Sequence, residues 1–427
     1  MLASELEVIE RAPQEIPPVY AFAANKGHSP LKQFLALPRD TILFMAPRRA
    51  PAILCPKGNT ENAVSILTSV GFNKLDVSRY AEASRLLQPD VVVGLGDVVR
   101  GDNTGSKRAM KMEDRTLRWT RQMVGSSTVE PPGPSTQPIE DAAGGWCSRT
   151  AFFAPVPPIP RGLQLSYLNY LDEDVRHQIS GLALNDAAIV ADPPAGLQDL
   201  PRLALDDPST PHHLIDDVAL GIDLFAIPFI GTSTDAGIAL DISFPPSKRE
   251  SMFEDSACRK SMGVDMWLPS HASDLSPLQH GCQCYACLTH HRAYVQHLLS
   301  AKEMLGWVLL QLHNLHVMHE FFAGMRASIA DGSFDESRKA FGLVYQPRLP
   351  ERTGQGPRYV ASLPPAAQSS VCVRMLIVRR VRGYQFKSTG PGEPRKNPVA
   401  YRSLDDASEP AADALDSAAA AGSRDAD

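Results

Sequence analysis

The chain has 427 residues, a formal net charge of −6 and 43% apolar residues, which is enough for a large folded core. Seven acidic residues and two bases lie between 402 and 427, so this tail carries 2 − 7 = −5 and the rest carries only −1. Bulk charge therefore does not predict nucleic-acid binding, and any such contact needs a local patch. No apolar run reaches about eighteen residues, so we expect no membrane span. The acidic start, Met1–Glu7, lacks a signal-peptide pattern.

Short apolar runs alternate with helical patterns through the first half of the chain. The runs lie at 41–45, 91–95, 150–154, 181–185, 203–205 and 221–225, and the helical patterns at 63–70, 80–87, 107–121, 163–170 and 210–219. Such alternation predicts βα units and a parallel sheet, hence an α/β fold. In this fold class the functional residues lie at the carboxyl ends of the strands, where Asp97, Asn185 and Ala226 fall.

The helical pattern at 107–121 is basic. Its cations are Lys107, Arg108, Lys111, Arg115, Arg118 and Arg121, and its acids are Glu113 and Asp114. A solvated helix face is the ordinary interpretation of this charge run, and contact with RNA phosphates is the alternative.

Composition divides the chain into three regions. Residues 1–270 carry the βα pattern, with a flexible insertion at 126–145 that is rich in Pro, Ser, Gly and acids. Residues 271–346 carry a cysteine cluster and long helices. Residues 347–427 are loop-rich, with an unplaced strand-like run at 371–381 and an Ala/Asp tail that we expect to be disordered.

Three of the seven cysteines lie within six residues, at Cys282, Cys284 and Cys287. The C-x-C-x2-C spacing offers three soft ligands from one turn, and one histidine would complete a closed Cys3His zinc site. A redox pair or simply packed thiols are the alternatives, although clustered free thiols in any case suit a reducing compartment. Spacing leaves the fourth ligand open among several histidines, of which two follow the last cysteine too closely. The candidates are His290, His291, His297, His313, His316 and His319.

A resemblance extends over about fifty residues here. The matching segments are Cys282-Gln283-Cys284-Tyr285-Ala286-Cys287, Arg292-Ala293-Tyr294, His297-Leu298-Leu299, Lys302-Glu303-Met304-Leu305 and Leu312-His313-Asn314-Leu315. Together they resemble the zinc-site signature of the tRNA-guanine transglycosylases. The resemblance implies that His313 is the fourth ligand and that each chain holds one Zn2+. It also implies a TIM-type (β/α)8 barrel with a zinc-binding subdomain inserted near its C-terminal end.

The catalytic residue of that family has no counterpart in this chain. Gly221-Ile222-Asp223-Leu224-Phe225-Ala226 resembles the segment that ends in the nucleophilic Asp of catalytic members, so Ala226 occupies the nucleophile position. Asp97 resembles an Asp that binds the purine edge, whereas Asn185-Asp186 replaces a Gly-Gly pair and residues 153–155 lack the expected Gln. Residues 1–20 resemble a point tens of residues into the relatives, so we expect the N-terminal barrel strands to be missing from this sequence.

The resemblance therefore implies a non-catalytic subunit that pairs with a catalytic subunit of the same fold. The heterodimer would exchange guanine for queuine at wobble position 34 of tRNAs with GUN anticodons, in the cytoplasm and peripherally at the mitochondrial outer membrane. The residues expected to contact base or RNA are Asp97, Lys107, Arg108, Lys111 and Arg115. One alternative is an active transglycosylase with a displaced nucleophile, Asp223 or Asp235. Another is a stand-alone zinc-dependent RNA-binding protein.

Overall fold

A computed structural model describes residues 18–22, 29–48, 55, 58–68, 71–98, 105–126, 150–190, 193–206, 208–247, 259–351 and 353–357. The predicted insertion beyond residue 126, the strand-like run at 371–381 and the acidic tail lie outside these residues. The domain boundaries at 270 and 346 stay a prediction.

Six short strands form one parallel sheet. The strands of the fold are β1 (Phe44–Met45), β2 (Ala63–Thr68), β3 (Gly71–Asp76), β4 (Val91–Val93), β5 (Ala151–Val156), β6 (Gly181–Leu184), β7 (Arg202–Ala204), β8 (Leu224–Phe225), β9 (Ile238–Leu240) and β10 (Gly263–Asp265). The sheet order is β1-β4-β5-β6-β7-β8, so the strands follow one another in chain order apart from the β2–β3 insertion. Every neighbouring pair is parallel. This sequential parallel order is typical of the wall of a (β/α) barrel.

The two faces of the sheet pack into different cores. Val92 and Leu182 belong to the large core shared with the helices, whereas Val91, Val93 and Ala183 belong to a smaller core built only from residues in and beside the strands. Because side chains alternate across a strand, this division explains why the strands read as continuous apolar runs. Within the described residues, β1 and β8 each have a single neighbour, so the sheet forms six strands of a wall, not a closed ring of eight.

Eleven α-helices are formed by the described residues. They are α1 (Pro18–Ala21), α2 (Pro30–Phe34), α3 (Val77–Leu87), α4 (Ser106–Ser126), α5 (Leu165–Asn169), α6 (Pro211–Ala219), α7 (Phe229–Asp235), α8 (Tyr285–Thr289), α9 (Arg292–Ser300), α10 (Met304–Ala330) and α11 (Phe334–Val344). No helix among them is both long and apolar enough to cross a membrane. The Tyr80 hydroxyl on α3 binds the carbonyls of Met45 at 3.1 Å and Val93 at 2.8 Å, which fixes this helix across β1 and β4.

The predicted helix at 63–70 is wrong. Residues 63–68 form β2, which pairs antiparallel with β3 and registers Ala63 with Asp76. Val64 and Ile66 are buried in the main core beside Leu75, so the apolar residues alternate with a period of two. A run this short fits a helix turn and a strand equally well, and the pairing with β3 decides between them.

Other boundaries differ less. The strand predicted at 221–225 is limited to β8 at 224–225, since Gly221 has a left-handed φ of 87°. The helix predicted at 163–170 is α5, which continues as a π-helical turn over Tyr170–Asp174. The strands at 91, 151, 181 and 202 and the helices α3, α4 and α6 confirm the predicted βα alternation.

Candidate metal centre

The three clustered thiols and one imidazole converge on a common point. The Nδ1 atom of His313 lies 3.7 Å from Sγ of Cys282, 3.6 Å from Sγ of Cys284 and 3.4 Å from Sγ of Cys287. All four donor atoms lie within 4.8 Å of one another. It is the one group of this kind among the residues that the structure describes, so these side chains can hold a metal ion.

The spacing fits a tetrahedral ion. With metal–sulfur bonds of about 2.3 Å and metal–nitrogen bonds of about 2.0–2.1 Å, the sulfur-to-nitrogen edge of a tetrahedron is about 3.6 Å. The observed edges of 3.4–3.7 Å agree with that length. Four protein donors fill the coordination sphere and leave no place for a reactive water, which is the pattern of structural sites.

The second ring nitrogen of His313 shows which of its atoms is available to a metal ion. Nε2 lies 2.8 Å from the carbonyl oxygen of Leu240, so it must carry a hydrogen to donate there. In the neutral ring the lone pair is then on Nδ1, which faces the three thiols, as a metal-binding histidine requires. His316 and His319 follow on the same helix but are half-buried and exposed, and they stand outside the cluster. The structure thus places the predicted ligand set, Cys282, Cys284, Cys287 and His313, together.

Local structure holds the cysteine turn in place. Cys284 is the N-cap of α8, and its Sγ accepts a hydrogen bond from the backbone N–H of Cys287 at 3.3 Å. Arg292 on α9 donates to the carbonyls of Pro277 and Leu278, each at 3.0 Å, and so fixes the segment that leads into the turn. These contacts preform the turn, which lowers the entropy lost when a metal binds.

Asn314 joins the centre to the strands. Its Oδ1 accepts from the Leu240 N–H at 2.8 Å, and its Nδ2 donates to the Thr234 hydroxyl at 3.0 Å and to the Ile238 carbonyl at 2.9 Å. The sequence predicted the His-Asn pair as a motif but gave Asn314 no role. Its position next to the ligand was the one available signal, because the partners lie more than seventy residues away.

The electrostatics of the cluster favour a negative charge on Cys287 and a positive charge on His313. Burial works to lower the pKa of His313, but hydrogen bonds with Cys284 and Cys287 outweigh it and raise the pKa to about 9. Hydrogen bonds from the Cys282 and Cys284 thiols hold the pKa of Cys287 far below its usual range, and the same thiol contacts raise the pKa of Cys282. Cys287 is thus favoured as the thiolate, whereas a metal ion would have to displace the protons of the Cys282 thiol and of His313 Nδ1.

The nucleophile position lies at the far edge of the sheet. Ala226 follows β8 directly, is 3% exposed and donates its N–H to the Ala204 carbonyl at 3.2 Å. Asp223 precedes β8, and its Oδ2 accepts from the Arg202 N–H at 2.8 Å. The carboxylate of Asp223 is therefore at the opposite end of the strand from Ala226.

The structure separates the predicted base or RNA contacts into a buried ion-pair cluster and two exposed lysines. Asp97 is fully buried and forms ion pairs of 3.0 Å with both Arg108 and Arg115. Lys107 is exposed, and Lys111 is half-exposed at 3.8 Å from Glu61. Their contact with RNA stays a prediction.

Glu61 was not recognised from the sequence. It accepts from Arg115 at 2.9 Å and from Arg118 at 2.7 Å, which lowers the pKa of its carboxyl. Hydrogen bonds to Asp97 and Glu61 outweigh the effect of burial and raise the pKa of Arg115. No local signal marked Glu61, because its partners on α4 lie more than fifty residues away.

Comparison with known proteins agrees with this geometry. Residues 18–347 match the profile of the family described as queuine tRNA-ribosyltransferase. A Schizosaccharomyces pombe protein named queuine tRNA-ribosyltransferase accessory subunit 2 is 32% identical over 329 residues, covering 77% of this chain and 70% of that protein. Proteins of the same name from Xenopus tropicalis and Drosophila mojavensis are 27% and 29% identical, and cover 71% and 68% of this chain and 78% and 68% of their own lengths.

The fold, the metal-binding cluster and the sequence matches agree with one another. The resemblance inferred from the cysteine motif is confirmed, and the parallel sheet is barrel-like, as the family match implies. This chain belongs to the queuine tRNA-ribosyltransferase family.

Proposed function

We propose that this chain is the non-catalytic subunit of a heterodimeric queuine tRNA-ribosyltransferase. The complex exchanges guanine for queuine at wobble position 34 of tRNAs with GUN anticodons, those for Asp, Asn, His and Tyr. The names of the relatives, all accessory subunits, support a subunit role. The observation that carries the proposal is the buried methyl group of Ala226 at the nucleophile position.

The chemistry of base exchange explains why Ala226 argues against catalysis by this chain. A carboxylate attacks the ribose carbon, guanine leaves, and the incoming base displaces the carboxylate. Ala226 offers no nucleophile, and Asp223 is held at the other end of β8 by the Arg202 amide. Asp235 is the last residue of α7 and not a strand-end residue. These positions favour a non-catalytic role over a displaced nucleophile.

One Zn2+ per chain would be held by Cys282, Cys284, Cys287 and His313. The donor set of three thiols and one imidazole is among those that bind zinc in closed structural sites. When bound, the ion supplies a structural crosslink and no reactive ligand position. The protein side chains do the rest: His313 and Asn314 attach α10 to Leu240, and the cysteines anchor α8 beside it.

The catalytic partner would dock on an exposed stripe of α10. We define the α10 stripe as Leu305, Val308, Leu312 and Leu315, which recur at helical spacing and are each 40–48% exposed. The opposite side of the same helix is buried, so between residues 305 and 315 apolar side chains lie on both the buried and the exposed side of α10. An exposed apolar stripe of this kind is normally covered by a partner, and the subunit role in the names of the relatives supports a family member as that partner.

The remaining assignments rest on the resemblance. Among the predicted RNA contacts, Lys107 and Lys111 are exposed on α4 and suit phosphate groups. Arg108 and Arg115 instead form ion pairs with Asp97. We place the complex in the cytoplasm and peripherally at the mitochondrial outer membrane, as the resemblance implies.

Reconstitution tests the proposal. The purified chain is mixed with unmodified tRNA and labelled guanine, with and without the catalytic subunit of the family. We expect label to enter tRNA only when the catalytic subunit is present, and we expect the two chains to elute together. Incorporation by this chain alone would refute the proposal. Tight tRNA binding without a partner, followed through a salt series, would instead favour the stand-alone RNA-binding alternative.

A further inference from the structure

A buried carboxylate lies at the carboxyl end of β4. Asp97 follows this strand by four residues and is 0% exposed. In parallel α/β folds ligands bind at this end of the strands, so a carboxylate there is placed to accept hydrogen bonds from a ligand. What occupies Asp97 therefore decides whether this end of the sheet can bind a base.

The acceptor sites of Asp97 are filled by the chain itself. Its Oδ1 accepts from Asn59 Nδ2 at 2.6 Å and from Arg108 Nη2 at 3.0 Å, and its Oδ2 accepts from Arg115 Nη1 at 3.0 Å. Its own N–H donates to the Thr116 hydroxyl at 3.0 Å. An ionised carboxylate has about four lone-pair sites, of which three are filled by these donors, and the full burial of Asp97 leaves the fourth without access to a ligand.

Both guanidinium groups come from one face of one helix. Arg108 and Arg115 are seven residues apart on α4, which places them two turns apart on the same side. Arg115 is held from behind by Glu61 at 2.9 Å, and Asn59 is oriented by the Ser65 N–H at 2.9 Å. The donors are thus delivered as a rigid unit by α4 and by the segment that leads into β2.

The backbone beside Asp97 is also covered. A Cβ added to Gly94 would come within 2.7 Å of the Pro155 side chain, and one added to Gly96 would come within 3.2 Å of it. Pro155 belongs to β5 and is buried. The small residues after β4 therefore accommodate a proline of the neighbouring strand, which has no N–H to offer a ligand.

We propose that Arg108 and Arg115 are built-in ligands of Asp97 that close this end of β4 to a nucleobase. This inference rests on the proposed function and deepens it, because the heterodimer then has one base-binding pocket, which belongs to the catalytic partner. A guanidinium presents planar N–H donors to a carboxylate, as the edge of guanine does. Each arginine therefore supplies to Asp97 the kind of hydrogen bond that a base would otherwise donate. Asp97 is on this view a positioning residue for α4.

The test separates folding from base recognition in the reconstituted complex. In Asp97→Asn, the buried Arg115 and the partly exposed Arg108 lose the counter-charge that they share, and we expect the Tm of the chain to fall by about 5 °C. The KM for guanine should stay within about twofold of the wild-type value, because no base contact is lost. Asp90→Asn is the matched control, since Asp90 flanks the opposite end of β4 and pairs with Lys32 at 2.7 Å.

A direct binding measurement completes the design. Equilibrium dialysis with labelled guanine should give no binding to the isolated chain and one base per heterodimer. A second base per heterodimer, or a KM for guanine raised about tenfold by Asp97→Asn but not by Asp90→Asn, would overturn the inference. If Asp97→Asn does not fold, Arg108→Ala removes one built-in ligand from a partly exposed position and is judged by the same KM criterion. Base binding without exchange by the isolated chain would defeat this inference alone, whereas exchange by that chain would defeat the proposed function.

Discussion

Replacing His313 with Ala should uncouple the metal centre from the sheet. The imidazole is fully buried, supplies the fourth donor and satisfies the Leu240 carbonyl. Apparent zinc binding to structural sites amounts to about 10–16 kcal/mol over four ligands, so one ligand contributes about 2.5–4 kcal/mol. Its loss should weaken zinc binding by at least about two orders of magnitude. The unpaired Leu240 carbonyl should cost a further 1–3 kcal/mol or so of folding free energy.

The assay combines metal analysis with an optical signal from the same region. Trp307 and Trp267 pack in the core cluster that contains Cys284, so their emission should change when the metal leaves. Zinc is measured by mass spectrometry after dialysis against a chelator of graded affinity. His316→Ala is the matched control, since His316 lies one turn further along α10 and outside the cluster. Full zinc retention by His313→Ala, with loss in His316→Ala, would refute the ligand assignment.

Three further predictions concern pH, docking and packing. Burial, with the nearby charge of Asp206, raises the pKa of Asp217 to about 7. The protonated carboxyl group of Asp217 therefore stabilises the fold fully below the unfolded pKa near 4, and this stabilisation is lost as the pH rises through 7. Urea unfolding of Asp217→Asn should therefore match wild type at pH 4 and exceed it by about 2 kcal/mol at pH 8. Leu312→Glu should weaken capture of the catalytic subunit by about tenfold or more, while Leu343→Glu, at a leucine that is more exposed and lies on α11, should not. Tyr80→Phe removes a buried hydroxyl whose single hydrogen is shared between the Met45 and Val93 carbonyls, and should lower the free energy of unfolding by about 1–3 kcal/mol, which chemical denaturation would measure.

The strand positions were predictable because their cause is local. Val91–Val93 and Gly181–Leu184 are buried on both faces, and a strand of this kind needs an uninterrupted apolar run that is visible in the sequence. The β2–β3 hairpin was missed because its pattern of Val64 and Ile66 is too short to distinguish a period of two from a helical period. There the deciding contact was the pairing with residues 71–76.

The candidate site was predictable only in part for a similar reason. The three cysteines share one turn, so their spacing alone predicted them as metal ligands. The position of His313 on the helix could not distinguish it from His316 as the fourth ligand. The distinguishing contact is the Leu240 carbonyl, 73 residues away in the chain. Likewise Asp97 could be matched to a base-binding position, but its partner Arg115 became evident only when α4 was placed against the sheet.

Adjacent side chains on α10 bind both backbone polar groups of a single residue. His313 takes the oxygen of Leu240 and Asn314 takes its nitrogen. These two hydrogen bonds fix the rotation of α10 about its own axis relative to Leu240 on β9. Adding or deleting one amino acid between Leu312 and His313 would turn Leu305, Val308 and Leu312 by about 100° relative to Leu240, while Leu315 and the candidate metal ligands keep their places. Such a change would split the α10 stripe, so length variation there should be as damaging to assembly as loss of the leucines.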